Sequence, residues 1–159
     1  MRLLIAAVGR LKQGPERDLF RHYLERIEMA GSKLGLAPVT VIEVPESRGP
    51  TAAARTAAEA MVMLGKVPPS HKLVCLDRQG EDLGSAEFAG AISKYRDTGA
   101  PGLAFLVGGA EGLAPEVLAR ADLKLSLGRM TLPHQLARVV LLEQLFRAHK
   151  ILAGESYHL

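Results

Sequence analysis

His134 and Arg138 lie four residues apart, so on a helix they share one face. Together they could present a hydrogen-bond donor and a fixed cation to a phosphate group or to a pyrimidine carbonyl. The alternative is a structural role, with a histidine at a helix start and an intersubunit ion pair, for example between Arg138 and Glu143. The residue types alone leave both interpretations open.

The segment just before this pair has the composition of a ligand-binding loop that leads into a helix. Gly128 permits backbone conformations that other residues avoid, and Pro133 fixes φ where a helix starts. Thr131 is placed to cap that helix. We therefore expect backbone amides of this loop to be available to a ligand.

Two further turns contain glycine, at residues 76–80 (LDRQG) and 107–112 (VGGAEG). Neither matches the dinucleotide fingerprint or the phosphate-binding loop of ATPases, which argues against a nicotinamide enzyme or an ATPase of ordinary doubly wound fold. Asp77 could contact a ligand, but we favour a local role in its turn, where its carboxylate would accept backbone amides.

The elements that must position these loops follow from an alternation of apolar runs and helical patterns. The expected strands are residues 3–8, 39–44, 73–77, 103–107 and 123–127. The expected helices are 15–31, 51–64 with Gly65 as its end signal, 85–96, a short one opened by Pro115, and one from His134 onward. The pattern predicts an α/β three-layer sandwich with a mostly parallel sheet. In such sheets ligands bind beyond the carboxyl ends of the strands, so the three loops should meet at one site.

Composition sets limits on the class of protein. A chain of 159 residues that is 48% hydrophobic and 23% charged predicts one folded domain spanning residues 1–159. A net charge of +3 is compatible with a polyanionic partner but does not establish one. The single Cys75 lies in an apolar run and is predicted to be buried, which excludes a disulfide framework and a cysteine-based metal site.

The chain ends in a short polar tail that contains Tyr157 and His158. An aromatic ring and an imidazole can stack on an RNA base or hydrogen-bond to it. A frayed terminus is the alternative.

Taken together, several blocks of this sequence closely resemble the RlmH family of SPOUT-class methyltransferases. The blocks are VGGxxG at 107–112, LSLGRMTLPHQ at 125–135, RVV from Arg138, and the tail with Tyr157 and His158. The resemblance begins at residues 4–9 (LIAAVG) and covers nearly the whole chain.

Membership in that family implies a trefoil knot in the C-terminal part of the fold. It implies transfer of a methyl group from S-adenosyl-L-methionine to N3 of a pseudouridine in helix 69 of 23S rRNA, on the assembled 70S ribosome. The expected enzyme is a cytoplasmic homodimer that needs no metal and no membrane. The apolar residues beyond His134 cover more than one helix stripe, so we expect a second copy to cover them.

The resemblance also implies site residues. Cofactor contacts fall at Leu76, Gly108, Leu127, Gly128, Arg129, Met130, Thr131 and Leu132. Of these, Leu76, Leu127, Met130 and Leu132 are expected to exclude water. His134, Arg138, Tyr157 and His158 fall on the substrate side, with the tail reaching the partner subunit.

The catalytic residues implied are Arg138, as a stabiliser of negative charge, and His158. The base that removes the N3 proton is left open among His134, Glu143 and His158. Rival functions are a knotted RNA-binding or ribosome-binding module without catalysis, and a SPOUT methyltransferase acting on tRNA.

Overall fold

A computed structural model describes residues 1–157, and in them five strands alternate with five helices. The strands are β1 (Arg2–Val8), β2 (Val39–Val44), β3 (His71–Asp82), β4 (Gly102–Val107) and β5 (Leu123–Ser126). The helices are α1 (Pro15–Leu34), α2 (Ala52–Lys66), α3 (Ser85–Asp97), α4 (Pro115–Leu118) and α5 (His134–Leu152).

The strands form one parallel sheet in the order β2-β1-β4-β3-β5. Strand β1 pairs on both sides, so Leu3 lies between Val39 and Leu103. Strand β4 is buried at every position, as a strand covered on both faces requires.

Two hydrophobic cores lie on opposite faces of this sheet. Helices α1, α3 and α5 pack on one face, and α2 and α4 pack on the other. Alternate residues of β1 serve the two cores: Leu3 and Ile5 point to the first, Leu4 and Ala6 to the second. The predicted three-layer α/β sandwich with a parallel sheet is confirmed. The trefoil knot stays a prediction.

Helix α5 corrects one expectation about the apolar surface. Its large apolar residues, among them Leu141, Leu145 and Phe146, are buried inside the same chain because α5 packs against both α1 and α3. Among its large apolar side chains, Leu136 and Ile151 remain exposed. The wide apolar face of this helix therefore does not by itself require a second copy.

Two predicted helix ends were wrong, for a common reason. Helix α1 continues through Gly31 to Leu34 and ends at Gly35, whose φ is 68°. Gly31 is instead buried, where an added Cβ would overlap the carbonyl of Leu36. Helix α2 likewise runs through Gly65 to Lys66. A helical glycine can serve close packing or simply be tolerated, and sequence does not distinguish these roles from an end signal.

Strand β3 is longer than predicted because its path is irregular. Leu76 and Glu81 both align with Leu125 of β5, so the four residues between them leave the regular ladder. This excursion brings the 76–80 turn beside the end of β5. In residues 1–157 no helix combines the length and the apolarity needed to cross a bilayer.

Candidate functional site

A cavity of about 870 Å³ opens at the carboxyl edge of the sheet. Its walls are formed by residues 76–79, 107–112, 125, 127–128, 130–134 and 137. The three loops selected from the sequence therefore meet at one place. The volume is in the range of pockets that bind drug-sized or nucleotide-sized molecules.

The loop after β4 forms one wall of the cavity almost entirely from backbone. Gly112 has φ of 78°, and its N–H donates to the carbonyl of Gly109 at 3.1 Å. A Cβ at Gly108 would overlap the carbonyl of Gly112 and lie 2.8 Å from the N–H nitrogen of Leu113. Glycine is thus required at 108 for the loop to fold back on itself.

The turn after Leu76 forms a second wall. The Asp77 carboxylate accepts the Gln79 N–H at 2.8 Å, which confirms the local turn role expected for this residue. A Cβ at Gly80 would lie 2.7 Å from backbone atoms of Lys124 and Leu125. Close contact between this turn and β5 therefore depends on glycine.

The segment between β5 and α5 forms the third wall. Gly128 has φ of 117°, and its N–H donates to Ser126 Oγ at 3.1 Å while its carbonyl accepts that hydroxyl at 3.2 Å. The prediction that Gly128 supplies an unusual backbone conformation is confirmed.

The predicted cap of α5 was wrong. Pro133 is the N-cap, and no side chain in the described chain caps this helix. Thr131 is too far before the helix start, and its hydroxyl instead accepts a 3.4 Å hydrogen bond from Arg78 Nη1. The first amides of α5 are therefore left without a side-chain partner at the cavity.

The apolar residues of the cavity are unequally covered. Leu76, Leu127 and Leu132 are half-buried, so they can shield a ligand from water. Met130 is 84% exposed and lies at the rim, which corrects the expectation that it excludes water in this conformation. Arg129 is exposed and does not belong to the cavity lining, so its predicted cofactor contact stays a prediction.

His134 lines the cavity, but Arg138 does not. Arg138 is only 2% exposed, which corrects the expectation that the pair presents one polar face to a ligand. Its Nη2 donates to the carbonyls of Val8 and Gly9, at 2.9 Å for Gly9. These two carbonyls hold the guanidinium inside the protein, where it fixes the end of β1 to the second turn of α5.

The charge of Arg138 is only partly compensated. Its Nη1 lies 3.6 Å from Glu43 Oε1, and its Nε has no hydrogen-bond partner in the described structure. Burial lowers the pKa of Arg138, while Glu43 and Glu46 act in the opposite direction. The side chain therefore serves as an internal brace.

The other predicted polar residues lie outside the cavity. Glu143 pairs with Arg147 at 2.6 Å in the same chain, and the suggested intersubunit pair with Arg138 stays untested. Tyr157 packs edge-on against Phe146, with ring centroids 5.2 Å apart, and under the Arg147 guanidinium. As far as Tyr157 the tail is thus packed rather than frayed.

His158 lies outside the described residues. Within them no cluster of three or more potential ligands is placed to hold a metal ion. Cys75 is buried as predicted, and burial raises the pKa of its thiol to about 12.

Sequence reasoning missed one ion pair at the site. Arg55 of α2 binds Glu111 of the glycine loop, although 56 residues separate them. Only the fold brings these two residues together, so no local pattern could have indicated the pair.

The walls suit a cofactor with both an apolar and a hydrogen-bonding surface. Half-buried leucines offer an apolar slot, and glycine-rich turns allow close approach of backbone amides and carbonyls. At Gly108 a Cβ would overlap the backbone of Gly112, so this wall depends on close contact between two backbone segments.

Comparisons with known proteins agree with this geometry. The family model described as "Predicted SPOUT methyltransferase" matches residues 1–158. Proteins named ribosomal RNA large subunit methyltransferase H are similar over 99% of this chain. Those from Bradyrhizobium sp. (strain ORS 278) and Rhodopseudomonas palustris (strain ATCC BAA-98 / CGA009) are 49% and 50% identical, over 98% and 99% of their own lengths. The relative from Xanthobacter autotrophicus is 49% identical over 99% of its length. The chain belongs to the SPOUT methyltransferase family, among the large-subunit rRNA methyltransferase H proteins.

Proposed function

We propose that this protein transfers a methyl group from S-adenosyl-L-methionine to N3 of a pseudouridine in helix 69 of 23S rRNA, on the assembled 70S ribosome in the cytoplasm. The observation that carries the proposal is the meeting of three backbone-rich loops in one cavity at the carboxyl edge of the sheet. Relatives about 49% identical over nearly their full lengths are named as large-subunit rRNA methyltransferases, which supports methyl transfer to 23S rRNA.

The cofactor would lie between the three loops. Leu76, Leu127 and Leu132 would enclose its adenine, and backbone groups of Gly108 together with the Gly128 carbonyl would hydrogen-bond to its polar edge. When bound, S-adenosyl-L-methionine supplies an electrophilic methyl group on its sulfonium. Met130 and Thr131, which line the cavity, and the neighbouring Arg129 are proposed to contact it as well. The cavity walls would hold the acceptor nitrogen behind the methyl group, and this positioning would supply much of the rate acceleration.

For the N3–CH₃ bond to form while the sulfonium S–CH₃ bond breaks, with S-adenosyl-L-homocysteine as the second product, the proton on N3 must leave. Of the two candidate bases that lie within residues 1–157, His134 lines the cavity, whereas Glu143 is held by Arg147. We assign proton acceptance to the imidazole of His134, which then releases the proton to solvent. Arg138 acts indirectly, because its buried guanidinium fixes the backbone at Val8 and Gly9 beside the start of α5.

The substrate side is proposed to include residues from a second copy. Tyr157 packs on α5 of its own chain and does not line the cavity of that chain. We therefore place Tyr157 and His158 at the substrate of the partner subunit in a homodimer. The apolar side chains still exposed on α1 and α5, namely Leu19, Met29, Leu136 and Ile151, are available to such an interface.

Basic residues at the same edge supply contacts to RNA phosphates. Arg10 and Lys12 follow β1, Arg78 lies in the β3 excursion and Arg129 follows β5, and all four are exposed. Because the carboxyl ends of parallel strands share one edge, these charges lie on the same edge as the cavity, from which RNA would approach.

The decisive test is incorporation of a labelled methyl group. The purified protein and labelled S-adenosyl-L-methionine are incubated with 70S ribosomes, free 50S subunits or tRNA from cells lacking this modification. We expect label in the 23S rRNA of 70S ribosomes, at the helix 69 pseudouridine. Label in tRNA alone would establish the tRNA enzyme instead, and cofactor binding without any transfer would establish a non-catalytic module.

Complementation tests the role of the second copy. A Gly108→Val variant, which should not bind cofactor, is mixed and refolded with a variant lacking residues 157–159. We expect activity to reappear in the mixed dimers, since one subunit keeps an intact cavity and the other an intact tail. Failure of the mixture, with each parent still dimeric and the truncated parent inactive, would place the tail in its own subunit.

A further inference from the structure

Arg55 holds the glycine loop of the cavity from outside. Its Nε donates to Glu111 Oε2 at 3.0 Å and its Nη2 bonds the other carboxylate oxygen, so the pair is bidentate. Its Nη1 donates to the carbonyl of Gly49 at 2.9 Å. One guanidinium thus joins helix α2, the loop after β2 and the loop after β4.

Glu111 is the single long side chain of the loop it belongs to. Residues 108–112 read Gly-Gly-Ala-Glu-Gly, so the other side chains are hydrogen atoms or a methyl group. Three glycines make a loop costly to order. The 3.1 Å bond between Gly112 and Gly109 closes the loop on itself but does not attach it to the layer beneath. The carboxylate of Glu111 provides that attachment.

Helix α2, which carries Arg55, is itself held in place by hydrogen bonds. Thr51 caps α2 by accepting the Ala54 N–H at 3.1 Å. Glu59, one helical turn beyond Arg55, accepts the Ser47 N–H at 2.9 Å. Two hydrogen bonds therefore fix the start of helix α2 and the loop after β2 relative to each other. Arg55 connects this part of the fold to Glu111 in the cavity wall.

We propose that Arg55 is a positioning residue for the cofactor, which keeps residues 108–112 in the conformation that forms the cavity wall. The inference rests on the proposed function, because it concerns the same cavity. Arg55 is not part of the cavity lining, so it acts through Glu111. The side chains of Arg55 and Glu111 are 32% and 35% exposed, and ion pairs at such positions contribute little to global stability. The effect of losing the pair therefore falls on cofactor affinity.

The test uses the full-length protein with Arg55→Gln. Titration calorimetry should show Kd for S-adenosyl-L-methionine raised roughly three- to tenfold, because binding must now order the loop. KM for the cofactor should rise in parallel, whereas kcat at saturating cofactor and the melting temperature of the free protein stay close to wild type. Arg55→Lys, which keeps the charge but loses the bidentate geometry, should fall between the two.

Lys72→Gln is the matched control. It breaks an ion pair of comparable exposure, with Asp122 at the opposite edge of the sheet, and should leave Kd unchanged. An unchanged Kd in Arg55→Gln would overturn the proposal, as would a fall in melting temperature and kcat without any change in Kd.

A double-mutant cycle identifies the route of the effect. Glu111→Gln removes the other partner, so adding Arg55→Gln to it should weaken cofactor binding no further. A full additional loss in the double variant would overturn the role of Glu111 as the link. If wild-type protein itself bound no S-adenosyl-L-methionine, the proposed function would fail instead, which separates the two outcomes.

Discussion

The two edges of the parallel sheet are built in opposite ways. At the carboxyl edge, three glycine-bearing loops surround a cavity of about 870 Å³. At the amino edge, the connections are tied directly to the strands. The N–H of Leu3 donates to Pro38 at 2.9 Å and the N–H of Arg2 donates to Pro101 at 3.1 Å.

Side chains reinforce the amino edge further. Asp122 accepts the Leu73 N–H at 2.8 Å and the Lys72 ammonium at 2.9 Å. The His71 ring lies against Gly102, where any Cβ would overlap it. The amino edge is thus closed by short bonds between its connections and its strands, whereas the loops of the carboxyl edge leave room for a ligand.

The largest effect is expected from filling the backbone wall of the cavity. A valine at position 108 would collide with the Gly112 carbonyl and the Leu113 N–H, so the loop must move out of its binding conformation. Gly108→Val should weaken binding of S-adenosyl-L-methionine by at least about a hundredfold, measured by calorimetry.

Gly90 provides the control for that substitution. It lies in α3 with nothing within 4 Å of an added Cβ, so Gly90→Ala should bind cofactor normally and be more stable by roughly 0.5–1 kcal/mol. Normal binding by Gly108→Val would show that the loop after β4 does not shape the site.

The next largest effect is expected from a comparison of two histidines, His134 at the carboxyl edge and His71 at the amino edge. His134→Ala should lower kcat by about a hundredfold in the ribosome methylation assay, with little change in the melting temperature, because it removes the proposed base. His71→Ala should instead leave kcat unchanged and cost roughly 1–2 kcal/mol of stability, since the ring packs on Gly102.

Reversed results, with kcat lowered in His71→Ala and stability lowered in His134→Ala, would contradict the assignment of catalysis to the carboxyl edge and of stability to the amino edge.

The smallest effect is expected for Asp122→Asn at the amino edge. Burial acts to raise the pKa of Asp122, but Lys72 and the Leu73 N–H outweigh it and hold the pKa below its ordinary 3.8. A carboxylate with a lowered folded pKa stabilises the fold above the unfolded value. The variant should therefore lose about 1 kcal/mol near neutral pH by urea denaturation, with cofactor affinity intact.

The lowered pKa of Asp122 also predicts how the stability difference between wild type and Asp122→Asn depends on pH. The stability gap between wild type and Asp122→Asn should narrow as the pH falls below 3.8, through the lower pKa of the folded state. A gap that stays constant to lower pH would mean that the carboxylate charge is not what stabilises this edge.

Much of the site could be read from local patterns. Residues 127–134 already contained the glycine that takes an unusual φ, the proline at the helix start and a histidine directed at the cavity. Their features depend on short-range backbone chemistry, which neighbouring residues decide. Arg138 was different, because helix spacing placed it beside His134 but did not reveal that its partners lie 129 and 130 residues away.

The sequence by itself determined the alternation of strands and helices, the parallel sheet and the three loops at its carboxyl edge, since periodicity and glycine positions act locally. Only the tertiary structure decided that α1 and α3 cover the apolar face of α5, that Arg138 is buried, and that Arg55 forms an ion pair with Glu111. These outcomes depend on which distant segments meet. A buried guanidinium or a covered helix face is favourable only where the fold provides acceptors or apolar surface opposite it.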